Sequence, residues 1–113
     1  MPADFRKDLI AQMKNRALIY MEMYDVLSAE LGAAKAEALL TKAIFRRGLA
    51  AGKSLGRHAP DDLAGLKTSF LAAVPGGEEI FQPEVLRCDG DRLEMQLHGC
   101  PLKDAWREAG LPE

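Results

Sequence analysis

The chain has 113 residues, of which 48 % are hydrophobic and 28 % charged, and its formal net charge is −2 at pH 7. These values are typical of a globular protein that folds as one domain. The slight acidic excess argues against a nucleic-acid partner, and no apolar run approaches the ~18 residues of a membrane span. The N-terminus lacks the apolar core of a signal peptide, so we expect a cytoplasmic protein whose two cysteines are free thiols.

The first half of the chain is predicted to form an antiparallel helical hairpin. Apolar residues recur at three- and four-residue steps from Phe5 to Leu27, and Gly32 is a suitable helix stop. A second, alanine-rich helix is predicted from about Ala33 to Ala51. Its small side chains allow close approach to the first helix.

A third helix is predicted after a loop that is rich in glycine and basic residues. Asp61 or Asp62 can cap this helix, which runs to about Val74 and ends at the Pro-Gly-Gly of 75–77. The pattern then becomes that of β-structure, and an extended stretch is expected to begin at residues 80–81.

A β-hairpin and a short final helix complete the predicted fold. Strands over 85–88 and 92–98 flank an Asp-Gly turn, which would pair Cys88 with Asp91. That register puts Cys88 and Cys100 at opposite ends of the hairpin, too far apart for a disulfide or a shared metal. The fold class is therefore α+β: a helical hairpin and a third helix, then an antiparallel β-hairpin and a C-terminal helix, in a single domain over residues 1–113.

Cys100 stands where the second predicted strand passes into the final helix. Pro101 suits the first helical position, which makes Cys100 the N-cap. There the unpaired amides and the helix dipole favour a thiolate. His98 lies two residues earlier and can share its face, so it could accept the thiol proton. This pair is the candidate nucleophile and base; the alternative is that Cys100 only fills a strand–helix corner.

Other side chains are candidates for substrate binding. The basic residues near the end of the second helix either hold an anionic substrate group or are simply solvated at a helix end. Trp106, in the final helix, either contacts substrate or anchors the core. No metal site is expected within one chain because too few ligands accompany His98 and Cys100, and the sequence identifies no cofactor. The basic residues are Arg46, Arg47, Lys53, Arg57 and His58.

The C-terminal segment resembles the signature of a known family. Residues 100–113 read Cys-Pro-Leu-Lys-Asp-Ala-Trp-Arg-Glu-Ala-Gly-Leu-Pro-Glu, and they are similar to the central signature of the L-2-amino-thiazoline-4-carboxylic acid hydrolase family. The likeness extends more loosely to the two long helices. It implies hydrolytic opening of 2-aminothiazoline-4-carboxylate toward carbamoyl-cysteine, and it carries over one site residue, Cys100. Family members usually continue into a portion with further cysteines and an aspartate, so this chain is expected to be a shortened or fragmentary member.

Two main hypotheses of function follow. In the first, the protein is a hydrolase acting on a C–N bond of a cyclic amidine: Cys100 attacks the ring carbon, His98 moves protons, and Arg46 or Arg47 holds the carboxylate. In the second, it is a non-catalytic small-molecule-binding or assembly module that forms a homodimer through the apolar stripe of its first helix. A metal or haem carrier using His98 and Cys100 is a third alternative.

Overall fold

A computed structural model describes residues 3–112 of the chain. Its elements confirm an α+β fold in which the helices precede an antiparallel hairpin and a final helix. In chain order they are α1 (Ala3–Leu31), α2 (Ala33–Gly52), a 3-10 turn (Leu55–Arg57), α3 (Leu63–Ala73), α4 (Glu78–Phe81), β1 (Pro83–Cys88), β2 (Leu93–Leu97) and α5 (Pro101–Glu108).

The predicted helical hairpin is confirmed. Gly32 separates α1 from α2 with φ at +88°, a left-handed conformation that glycine adopts without steric cost. Its N–H donates to the Ser28 carbonyl at 2.9 Å, which ends α1. Ala36, on the first turn of α2, is fully buried, whereas every residue from Thr41 to Ala51 is exposed. The second helix is therefore covered near the turn and, at its other end, only at Gly52.

The best-packed region lies where α5 crosses α1. Met13 and Ala17 on α1 are buried, as is Ala105 on α5. The indole N–H of Trp106 donates to the Ala17 carbonyl at 2.8 Å, which joins positions 89 residues apart in the sequence. This junction fixes the direction of α5 and thus the position of its N-terminus.

The third helix begins as predicted. Asp62 is its N-cap, and Oδ1 of Asp62 accepts a hydrogen bond from the Gly65 N–H at 3.0 Å. This bond satisfies one of the amides that a helix leaves unpaired at its start.

The extended stretch expected at residues 80–81 is wrong, because those residues belong to the helical turn α4. The glycines at 76–77 turn the chain with φ of +76° and +61°, and Ile80 is buried. Glu78 and Glu79 occupy the first turn, where a helix favours acidic side chains. Gln82, in a left-handed conformation, ends the turn, so the sheet begins only at residue 83.

The hairpin is antiparallel as predicted, but its register is different. Cys88 lies opposite Leu93 rather than Asp91, and a bulge falls between Val85 and Arg87. The two-residue turn is replaced by a four-residue loop, because the Asp89 carboxylate accepts hydrogen bonds from the backbone N–H groups of residues 91 and 92. Both cysteines are free thiols, as expected. Within residues 3–112, no helix is long and apolar enough to cross a membrane.

Candidate functional site

The segment from His98 to Cys100 is held by backbone contacts with the end of α4. The N–H groups of His98 and Gly99 both donate to the Phe81 carbonyl at 3.0 Å. A side chain at position 99 would collide with the Ile80 carbonyl, so only glycine allows this approach. The chain therefore enters α5 at a fixed position.

Cys100 is the N-cap of α5, as the sequence predicts. Its backbone is extended, with φ at −153° and ψ at 103°, and Pro101 follows at the start of the helix. The carbonyl of Cys100 accepts the first helical hydrogen bond, from Asp104 at 3.0 Å. The thiol is half-buried and makes no capping hydrogen bond. The sulfur is therefore not engaged as the cap of the helix.

His98 is paired with a carboxylate that the sequence analysis did not identify. Nε2 of His98 lies 2.8 Å from Oε2 of Glu84, and both side chains are about half exposed. Because Glu84 lies opposite Gln96 in the observed register, Glu84 and His98 are diagonal neighbours on one face of the hairpin. The carboxylate can orient the imidazole and leave Nδ1 for proton transfer. In the described part of the chain, no hydrogen bond joins His98 to Cys100.

The other predicted site residues lie on different elements. Arg46 and Arg47 are exposed on α2, and no ion pair or hydrogen bond links them to Cys100 or His98 among the described residues. Trp106 is half-buried, and its N–H is engaged by the Ala17 carbonyl. His98 and Cys100 therefore lie two residues apart at the base of the hairpin, with His98 bonded to Glu84, and the remaining candidates lie on other elements.

An apolar cleft lies between the end of α2, α3 and the base of the hairpin. Its volume is about 420 Å³, and its lining includes Gly48, Phe70, Phe81 and Leu97. Gly48 directly follows Arg47, and Leu97 directly precedes His98. The described residues that line the cleft therefore include sequence neighbours of Arg47 and His98, but not those two residues themselves.

Ligands for a metal are not grouped in the described residues. Within 3–112, no set of three or more His, Cys, Asp or Glu side chains is placed to hold a metal ion.

Comparison with known proteins identifies the family. The model of the family described as L-2-amino-thiazoline-4-carboxylic acid hydrolase matches residues 12–113, which include most of α1, all of α2 and the Cys-Pro segment. The chain belongs to the L-2-amino-thiazoline-4-carboxylic acid hydrolase family. No curated protein and no solved structure matches it. Membership in the hydrolase family therefore rests on the family model, and it confirms the resemblance seen in the signature.

Proposed function

We propose that the protein is a hydrolase that opens the ring of a cyclic amidine such as 2-aminothiazoline-4-carboxylate. The observation that carries the proposal is the position of Cys100: the cysteine of the family signature is the N-cap of α5, and its thiol makes no capping hydrogen bond. A helix N-terminus favours the thiolate, which is the nucleophilic form of cysteine. The His98–Glu84 pair two residues away supplies a candidate proton carrier.

The reaction consumes one water molecule and needs two steps. The first step starts from the imino tautomer, in which the ring nitrogen carries one hydrogen. Sγ of Cys100 bonds to the ring carbon between nitrogen and sulfur, the bond from that carbon to the ring nitrogen breaks, and His98 gives the departing nitrogen its second proton, while the exocyclic nitrogen stays doubly bonded to the carbon. In the second, His98 takes a proton from water, the water oxygen bonds to the same carbon, and the Cys100 thiolate leaves. The product is an open amino acid that carries a carbamoyl group, and the enzyme is restored.

The remaining groups position the substrate in this proposal. Arg46 or Arg47 binds the substrate carboxylate, since a guanidinium matches that group with two parallel hydrogen bonds. Trp106 offers the substrate only the part of its ring that the contact with Ala17 leaves uncovered. Glu84 holds the imidazole and stabilises it when it carries a proton.

Paired cysteine variants test the nucleophile. Turnover of 2-aminothiazoline-4-carboxylate is measured for Cys100→Ser and for Cys88→Ser as the matched control, since both cysteines are free and half-buried. We expect Cys100→Ser to lose about 10²-fold or more in kcat, whereas Cys88→Ser keeps the wild-type rate. Hydrolysis by Cys100→Ser at the wild-type rate would exclude Cys100 as the nucleophile.

Alkylation tests the same residue without a substrate. At pH 7 we expect iodoacetamide to modify Cys100 several-fold faster than Cys88, because only Cys100 lies at a helix N-terminus. Peptide mapping at short reaction times gives both rates in one sample. Equal rates would mean that the N-cap position does not activate the thiol, and Cys100 would then be a packing residue.

A second function, homodimer assembly, is favoured by the exposed apolar surface. The accessible area is 8192 Å², against about 6,100 Å² for a folded monomer of this size. The radius of gyration is 16.6 Å, against about 13 Å for a compact domain of this length. The excess area, about 2,000 Å², is what one subunit of an obligate dimer buries.

The α1 stripe is the surface that we propose for this dimer. We define it as Leu18, Ile19, Met23 and Val26, which line a cleft of about 540 Å³ with few polar groups. Exposed fractions of these side chains run from 38 % for Leu18 to 60 % for Val26. Light scattering across a concentration series tests the assembly: twice the mass of one chain is expected, and a single-chain mass at every concentration would contradict it.

A further inference from the structure

A second group of reactive side chains lies between the 3-10 turn and α3. Nε2 of His58 is 2.8 Å from Oγ of Ser69, and Nδ1 of the same ring is 3.4 Å from Oδ2 of Asp62. The imidazole thus contacts a hydroxyl through one ring nitrogen and a carboxylate through the other. A nucleophile within hydrogen-bond reach of a base that a third group orients is the geometric signature of an activated serine.

The local sequence explains why these side chains meet. Asp62 caps α3, and Ser69 follows seven residues later, almost two helical turns along the same face. Gly65 makes room for the carboxylate, because a side chain there would collide with Asp62. With Oδ1 held by the Gly65 N–H, Oδ2 remains available to His58. The imidazole, which is only 16 % exposed, then spans the gap to Ser69.

A charged donor and a cleft accompany the serine. Nη2 of Arg57 lies 3.2 Å from Oγ of Ser69. Arg57 and Ser69 both line a cleft of about 360 Å³, together with Leu55, Ala72 and Ala73. A guanidinium beside the attacking oxygen can stabilise the negative charge that develops on a carbonyl oxygen bound there. The lining is mixed, since Ser54 and Thr68 also contribute to it, and its leucine and two alanines provide the apolar part that a small acyl group would contact.

We propose that Ser69 and His58, positioned by Asp62, form an acyl-transfer site for esters of short acyl chains. Oγ of Ser69 bonds to the ester carbonyl carbon while its proton passes to Nε2 of His58, and Arg57 stabilises the oxyanion. The carbon–alkoxide bond then breaks, the leaving oxygen takes the proton from His58, and Ser69 is acylated. Water repeats the sequence, which releases the acid and restores the serine. This site uses neither Cys100 nor His98.

Two probes of the wild-type chain test the site directly. Diisopropyl fluorophosphate should form an Oγ–P bond at Ser69 with loss of fluoride and a proton, and p-nitrophenyl acetate should acetylate the same oxygen. Peptide mapping should find each group on Ser69 and not on Ser28 or Ser54. Absence of either adduct from Ser69, or equal labelling of the heat-unfolded chain, would overturn the proposal.

Variants separate activation from mere exposure of the hydroxyl. His58→Gln keeps a polar group but removes the base, so we expect phosphorylation by diisopropyl fluorophosphate about 10²-fold slower. Ser28→Ala, a change on α1, is the control and should leave the rate unchanged. Circular dichroism confirms that each variant is folded. Labelling of folded His58→Gln at the wild-type rate would show that the imidazole does not activate Ser69.

Asp62→Asn tests the positioning role. An amide oxygen can still cap α3, so the helix should persist, but the amide cannot stabilise a protonated imidazole. We expect the saturating rate of labelling to fall while the probe concentration at half-saturation stays the same. A change in the half-saturation concentration alone would contradict this role. Labelling should persist in Cys100→Ser, so that failure of this site and failure of the hydrolase proposal are distinguishable.

Discussion

Two faces of α1 differ in what covers them. On the face beneath α5, Met13 is 5 % exposed and Ala17 is fully buried. On the other face, Ile19 and Val26 are 49 % and 60 % exposed, although both are strongly apolar. Apolar area of this extent is unfavourable in water at about 25 cal/mol per Å². The packing of α5 therefore completes the core on one face of α1 only, and the α1 stripe on the other face is the surface suited to a partner.

The largest effect is expected from removing the indole that joins α5 to α1. Trp106→Ala leaves a cavity and removes the hydrogen bond to the Ala17 carbonyl. We expect the free energy of unfolding to fall by about 3 kcal/mol. Urea unfolding followed by circular dichroism measures this. Trp106→Phe, which keeps most of the ring area, should cost clearly less. A loss below about 1 kcal/mol for the alanine variant would show that this junction is not the core.

A charge in the α1 stripe should weaken the proposed dimer. Ile19→Glu would place a carboxylate in the proposed dimer interface, and we expect a cost of about 2 kcal/mol, or roughly 30-fold in the dimer Kd. Analytical ultracentrifugation measures the constant. Gln12→Glu, an exposed position on the same helix outside the stripe, is the matched control. Equal dimer constants for the two variants would place the interface elsewhere.

The sequence predicts what depends on local pattern and misses what depends on distant contacts. The two long helices and the N-cap position of Cys100 follow from periodicity, Gly32 and Pro101. The bond between Trp106 and Ala17 has no sequence signal, because its partner is a backbone carbonyl 89 residues away. The pairing of His98 with Glu84 is hidden for another reason: it depends on strand register, which a change in turn length shifts.

A smaller, pH-dependent effect is expected at the edge of the α1–α5 junction. The hydrogen bond to Glu108 raises the pKa of Lys14 above its usual 10.5, despite partial desolvation, and the charges of Glu108 and Asp104 add to this. A raised lysine pKa stabilises the fold at lower pH, and this contribution is lost as pH rises through the folded value. The stability advantage of wild type over Lys14→Gln should therefore be present at about pH 9 and shrink above about pH 11. An advantage independent of pH would mean that Lys14 acts through packing alone.

The smallest effect on stability is expected from Asp89 in the hairpin loop, which is remote in sequence from α1. The pKa of Asp89 is lowered below its usual 3.8, chiefly by the hydrogen bond from the Arg87 side chain. The backbone N–H groups of Asp91 and Arg92 lower it further. A lowered carboxyl pKa stabilises the fold above the usual value, and this contribution disappears as pH falls through the folded value. Asp89→Asn keeps an oxygen that can accept the backbone bonds but loses the charge, so its stability should fall less than that of wild type between about pH 5 and pH 2. Urea unfolding across that range measures the difference. The same carboxylate holds the four-residue loop, so Asp89→Ala should also loosen the strand register that brings Glu84 to His98, whereas Asp89→Asn should preserve it. Amide hydrogen exchange in β1 and β2 distinguishes the two variants. Identical exchange in both would show that the bulge alone fixes the register.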